Sequence, residues 1–278
     1  MRVFEIPEGS RTSKGRAIQN LINIEQDDKV KAFICTQDLK DEEYVNSHFV
    51  IMATKKGTVK KTSLEQYSRP RQNGINAITV RDGDELLEAK LTTGTSQIFL
   101  GLKSGKAIRF EESKTRPMGR NASGVRGIRL ADDNDEVVGM VSVHNFEDDI
   151  LVVSERGYGK RSNIEDYRIT NRGGKGVKTI SITDKTGGLV AIKNVTDTDD
   201  LMIINKSGIA IRMGVEDLRV MGRATQGVRL INLKDNDAIA AVAKVMKEDD
   251  PVDEVDIRDI EVEGQDGTAI DDTTDEKE

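Results

Sequence analysis

The sequence predicts an all-β fold, a propeller-like ring of four-stranded antiparallel blades, four complete and one partial, followed by an acidic tail. Three observations predict it. A β-hairpin pattern recurs four times at nearly constant spacing. An Arg–Gly marker recurs on the same beat ahead of a third strand. Each unit then closes on a fourth apolar strand. One such sheet cannot bury both of its faces alone, so it needs neighbours of its own kind.

The hairpins read Phe49–Thr62, Gln97–Phe110, Asp149–Ser162 and Asp200–Met213. Each is an apolar run, a polar turn ending in Gly, and a short strand with cations. The turn glycines Gly57, Gly105, Gly157 and Gly208 can take positive φ without steric cost. Between hairpin and marker, stretches such as Ser63–Tyr67 and Asn163–Tyr167 are expected to form one helical turn. The markers place Arg11, Arg120, Arg172 and Arg223 four residues before Gly15, Gly124, Gly176 and Gly227, while Arg71 stands three before Gly74. Third strands are expected over Ile75–Val80, Val125–Leu130, Val177–Ile182 and Val228–Leu233, and fourth strands over Leu86–Leu91, Val137–Val143, Leu189–Val195 and Ile239–Val245. The last is Ala-rich and favours helix by propensity, but the repeat register assigns it to a strand. The units span about 1–36, 48–93, 97–143, 149–195 and 200–246. The first has its marker and two later strands but no hairpin in front. The single cysteine, Cys35, reads as a small apolar strand residue within it.

The formal charge of −7 is unevenly distributed. Residues 247–278 hold 15 acidic and 3 basic groups, whereas residues 1–246 carry a net +5. The tail has no aromatic and no sustained apolar period, which predicts disorder. An acidic tail on a weakly basic body points toward nucleic acid, with a tail able to compete for it. In the body, cations recur in register. Lys60, Lys61, Arg109, Lys160, Arg161 and Arg212 follow the turns. Arg69, Arg71, Arg116, Arg120, Arg168, Arg172, Lys175, Arg219 and Arg223 surround the markers, and Arg126, Lys178 and Arg229 stand two residues past the marker glycines. In the partial unit Arg11, Lys14 and Arg16 do the same. In a ring of blades, equal places in sequence predict one basic rim that touches phosphates without reading bases. Gly173 and Gly174 would let backbone N–H groups approach a phosphate. The competing reading is of ordinary solvated strand faces.

Other classes find little support. Aromatics make up 4% of residues with no Trp, too few for a single-strand reader that stacks bases. One cysteine and two distant histidines, His48 and His144, offer no metal-ligand spacing. Gly173-Gly174-Lys175-Gly176 is not a phosphate-binding Walker loop, because no Gly-Lys-Ser/Thr closes it. No catalytic constellation stands out, and no long apolar segment suggests a signal or a membrane helix.

The strings Glu5-Ile6-Pro7-Glu8-Gly9-Ser10-Arg11-Thr12-Ser13-Lys14-Gly15-Arg16, Met118-Gly119-Arg120-Asn121-Ala122-Ser123-Gly124-Val125 and Asn171-Arg172-Gly173-Gly174-Lys175-Gly176 carry a resemblance. Over about residues 1–246 the chain resembles the C-terminal β-pinwheel domain of the DNA gyrase A protein. The resemblance implies blades that exchange strands with their neighbours. It also implies non-sequence-specific wrapping of duplex DNA around the rim, within an enzyme that introduces negative supercoils in an ATP-dependent reaction. The family's box, Gln-Arg/Lys-Arg-Gly-Gly-Arg/Lys-Gly, belongs to its first blade. The nearest string here, Thr170–Gly176, lacks the Gln and sits in a later unit, so the box itself is expected upstream of Met1. By the resemblance this stretch is no enzyme alone and holds no cofactor. The catalytic tyrosine, ATP and magnesium belong to other domains, and Tyr44, Tyr67, Tyr158 and Tyr167 all fit blade positions. The implied partners are duplex DNA, a second gyrase A chain and two gyrase B chains, with no membrane, in the cytoplasm at the nucleoid. The equivalent domain of topoisomerase IV and a propeller-like protein-interaction scaffold are the alternatives.

Overall fold

The structure, a computed structural model, describes residues 3–10, 13–22, 24, 28–71, 73–145, 147–234 and 237–246. The predicted tail lies outside the described residues, as does Arg11. Residues 1–246 form one compact unit.

A short helix α1 (Glu42–Ser47), capped by the Asp41 carboxylate on the N–H groups of Glu43 and Tyr44, leads into the first hairpin. Blade one contains β1 (Phe49–Thr54), β2 (Thr58–Ser63) and β3 (Leu86–Thr92). Next come β4 (Gln97–Leu102), β5 (Lys106–Glu111), the two-residue β6 (Val125–Arg126) and β7 (Val137–Val143). They are followed by β8 (Asp149–Ser154), β9 (Tyr158–Asn163), β10 (Val177–Lys178) and β11 (Leu189–Val195), then by β12 (Asp199–Asn205), β13 (Ala210–Gly214), β14 (Val228–Arg229) and β15 (Ile239–Met246). The expected helical turns are 3-10 turns at Leu64–Tyr67 and Ile164–Asp166.

The sheets run β3-β1-β2-β6, β7-β4-β5-β10, β11-β8-β9-β14 and β15-β12-β13. Each of the first three sheets therefore takes its edge strand from the following unit. Strand exchange of this kind explains why the third strands are shorter than their alternating pattern suggests. Only two residues pair before the chain turns back toward its own blade. Residues 75–80 form no strand, and among the described residues before them there is no hairpin to receive one. The two later strands expected in residues 1–36 are likewise missing among the described residues, and Cys35 is exposed outside any strand. Among the described residues the last sheet has three strands, β15-β12-β13, rather than four. β15 is a strand despite its alanines, paired along β12 from Asp199↔Met246 to Asn205↔Ile239.

Blade strands bury both faces, so they read as apolar runs rather than as alternation. One face of β4 packs Ile98, Leu100 and Leu102 against Ile51, Ala53 and Val59 of blade one, and the other packs Phe99 against Ile150, Val152, Ile164 and Tyr167 of blade three. A third cluster, with Leu151, Val153, Leu201 and Ile203, joins blades three and four. Each such side chain contributes about 1.5–3 kcal/mol. In blade four Met202, Ile204 and Ile211 are only half-buried.

Seating the exchanged strand requires glycine. Gly124 and Gly176 have φ of +93° and +72°, and a Cβ there would stand 2.5 Å from the Val59 carbonyl oxygen and 2.6 Å from that of Ala107. The marker glycine is thus where one blade's backbone crosses directly against the next.

Candidate nucleic-acid interface

The recurring cations divide into three sets. The first, exposed, lies on and beside the exchanged edge strands. Arg126 pairs across from Thr58, Lys178 from Lys106 and Arg229 from Tyr158, which are equivalent places on three successive blades. Arg69, Arg71, Arg116, Arg168, Lys175 and Arg219 are also exposed, as are Lys14 and Arg16 of the partial unit. Arg229 lies over the Tyr158 ring at 5.3 Å and donates to its hydroxyl at 2.9 Å, which fixes the guanidinium at the edge.

The second set is the marker arginines, which are half-buried and act as braces. Arg172 donates to the carbonyl oxygens of Lys114 at 2.9 Å and Arg126 at 3.1 Å. Arg223 donates to those of Asp166 at 3.0 Å and Lys178 at 2.8 Å. Arg120 reaches Asn76 at 3.3 Å. Each holds the backbone of the preceding unit's edge-strand position. The Gly173 N–H, expected to be free for a phosphate, donates to the Gly127 carbonyl at 2.6 Å, and the Gly174 carbonyl accepts from Arg129. Both glycines therefore lie in the joint between units.

The third set overturns an expectation. Lys60, Lys61, Arg109, Lys160 and Arg161, read as rim cations, are all buried. They reach into the next blade. Arg109 donates to the carbonyls of Ile164 at 2.7 Å and Tyr167 at 2.9 Å, and to Gln97 at 2.7 Å. Lys61 donates to the Glu112 carbonyl and pairs with its carboxylate at 3.7 Å. Arg161 donates to Leu218 and pairs with Asp197 and Asp149. The backbones of Lys61, Arg109 and Arg161 bridge to Pro117, Ile169 and Val220 of the next unit. Lys60 donates to Ala77 and Arg120, and Lys160 to Gly222. Burial lowers both lysines to about 8, with Arg120 and Arg223 respectively adding repulsion and Asp166 opposing the shift at Lys160. The physical reason is strand exchange. The post-turn strand lies between the first strand and the incoming edge strand, so it is central. Arg212, the counterpart in blade four, is exposed and donates to Asp200 at 2.7 Å and Met246 at 3.3 Å.

Sequence reasoning passed over Lys106, which lies across from Lys178; its signal was its place directly after the turn Gly105. Among the described residues, no helix is long and apolar enough to cross a membrane.

Fold and site together define a strand-exchanged repeat domain that presents cations on its exchanged edges. The chain belongs to the DNA gyrase C-terminal domain, beta-propeller family, whose model matches residues 1–37, 48–93, 103–144, 148–196 and 199–246. It is 45% identical over 251 residues to the gyrase A protein of Staphylococcus aureus strain MRSA252, covering 90% of this chain and 28% of that protein. Against the gyrase A protein of strain NCTC 8325 / PS 47 it is 46% identical over 250 residues, with the same coverage. The chain thus spans just over a quarter of the length of these curated relatives. Its fold matches the C-terminal domain of DNA topoisomerase IV (TM-score 0.76, 24% identity, 84% of this chain and 71% of that one) and the DNA gyrase A C-terminal domain (TM-score 0.73, 24% identity, 84% and 76%).

Proposed function

We propose that residues 1–246 bind duplex DNA without reading its sequence and wrap it along the exchanged edge strands, as part of a gyrase A protein that introduces negative supercoils in an ATP-dependent reaction. The observation that carries this reading is the exposure of Arg126, Lys178 and Arg229 at one register on three successive blades. Arg116, Arg168 and Arg219 flank them at a second repeated place. Such cations release phosphate counterions, so affinity falls with salt. The chain itself performs no bond chemistry in this reading. The catalytic tyrosine, ATP and magnesium are on other domains, a second gyrase A chain and two gyrase B chains complete the enzyme, and the complex works in the cytoplasm at the nucleoid. The likeness to the gyrase A sequences favours this reading over the topoisomerase IV counterpart. The test is DNA binding by Arg126→Ala/Lys178→Ala/Arg229→Ala across a salt series. The log–log salt slope is expected to become shallower by about 2.7, equally for unrelated sequences. An unchanged slope, or a loss confined to one sequence, rejects the reading.

A further inference from the structure

The fourth strands of successive blades abut one another, and they carry lysines at one register. Lys90 of β3 lies opposite Ile51, Lys193 of β11 opposite Leu151 and Lys244 of β15 opposite Leu201, while β7 has Val141 at the equivalent place opposite Phe99. A cavity of about 700 Å³ opens here, lined by Lys31, Lys90 and Lys193 with Glu88, and by Phe33 and Leu87 on an apolar side. Burial lowers the Lys90 ammonium from its usual value; Glu88 opposes the shift, and Lys193 and Lys244 add to it. The three ammonium groups therefore share one field.

A neighbouring cavity along the same strands pairs each of its lysines with a carboxylate. There Lys55 pairs with Glu85 and Glu136, Lys103 with Glu136, and Lys206 with Glu155. In the lysine cavity the compensation is incomplete. Lys31 has Glu85 at 2.9 Å, a carboxylate it shares with Lys55, Lys90 has Glu88 at 3.4 Å, and on the flanking strand Lys244 has Asp199 at 3.2 Å. Glu88 is also engaged, accepting from the Met140 N–H at 3.1 Å. Lys193 is half-buried and has no hydrogen-bond or ion-pair partner among the described residues. Half-buried cations converging without enough carboxylates are costly unless an anion joins them.

We propose that this cavity is a binding site for a small phosphate-class polyanion, an oligophosphate or the phosphate chain of a nucleotide, held by Lys90 and Lys193. Lysines suit the task as mobile point charges able to follow a flexible phosphate chain. The site is separate from the edge strands, so it does not depend on the DNA-wrapping reading.

Titration calorimetry of the whole chain with sodium tripolyphosphate at low salt tests the proposal. Saturable binding is expected, weakened about tenfold by Lys193→Met, the loss of one charge-assisted hydrogen bond. Lys90→Met should act similarly, and Lys185→Ala, at an exposed position away from the cavity, should change nothing. Thermal unfolding of Lys193→Met without ligand should occur no lower than in the parent, which separates lost binding from lost folding. A parallel titration with ATP distinguishes the sources: tighter binding than tripolyphosphate assigns the ring to the apolar side, equal binding assigns the phosphate chain alone. The proposal is overturned if no saturable binding occurs, if Lys193→Met binds like the parent, or if only the edge-strand triple variant loses it. DNA binding by Lys193→Met should match the parent, so this proposal and the wrapping reading can fail separately.

Discussion

Arg109 and Lys178 belong to neighbouring paired strands, β5 and β10, and both are cations that recur once per repeat. Arg109 is 8% exposed and holds two carbonyls of the next blade, whereas Lys178 stands exposed at the edge. The same contrast separates Lys61 from Arg126 and Arg161 from Arg229. Recurrence in register therefore identifies equivalent positions, and position within the sheet decides whether a cation binds its own protein or remains free for a partner.

The comparison can be broken most severely at the seat of the edge strand. Gly176→Ala forces a Cβ into the Ala107 carbonyl at positive φ, and is expected to cost about 2–4 kcal/mol in denaturant unfolding. It should also displace Lys178, so DNA affinity falls together with stability. Arg109→Ala sharpens the contrast. It leaves the Ile164 and Tyr167 carbonyls without this donor, at an expected cost of about 2–3 kcal/mol, with the salt slope of DNA binding unchanged in the folded protein. The edge-strand triple variant should do the reverse, shifting stability by no more than about 0.5 kcal/mol while flattening the salt slope.

A pH series distinguishes the buried set further. Lys160 is lowered to about 8 in the folded protein, while an unfolded lysine titrates near 10.4. Between those values the unfolded chain binds more protons, so stability rises with pH; below about 8 the burial cost is fully present. Tyr167, pushed up by burial to about 12, acts oppositely above pH 10, where the unfolded phenol releases its proton first. Urea midpoints are expected to rise from pH 8 toward 10, and Lys160→Met should flatten the rise. The smallest effect concerns the acidic residues 247–278. Truncation after Met246 is expected to tighten DNA binding a few-fold at low salt, by removing like-charged competition for the edge cations. Unchanged affinity in a filter-binding assay would remove that role from the tail.

Much of the fold was legible because apolar periodicity and turn glycines report on neighbours within a few residues. The hairpins at Gly57, Gly105 and Gly157 and the strand at Ile239–Met246 follow from register alone. The length of the third strands did not, because pairing Val125–Arg126 to β2 depends on a partner 66 residues earlier at Val59. The site was legible in part. Arg126, Lys178 and Arg229 were identified by spacing and are exposed, while five post-turn cations identified by the same spacing are not.

The sequence by itself determined the repeat, the all-β class and the places where charge recurs, since each is written in local pattern. Only the tertiary structure decided which strand of each blade is central and which is borrowed. That choice rests on contacts between units, and it placed Arg109 against buried carbonyls and left Lys178 in solvent.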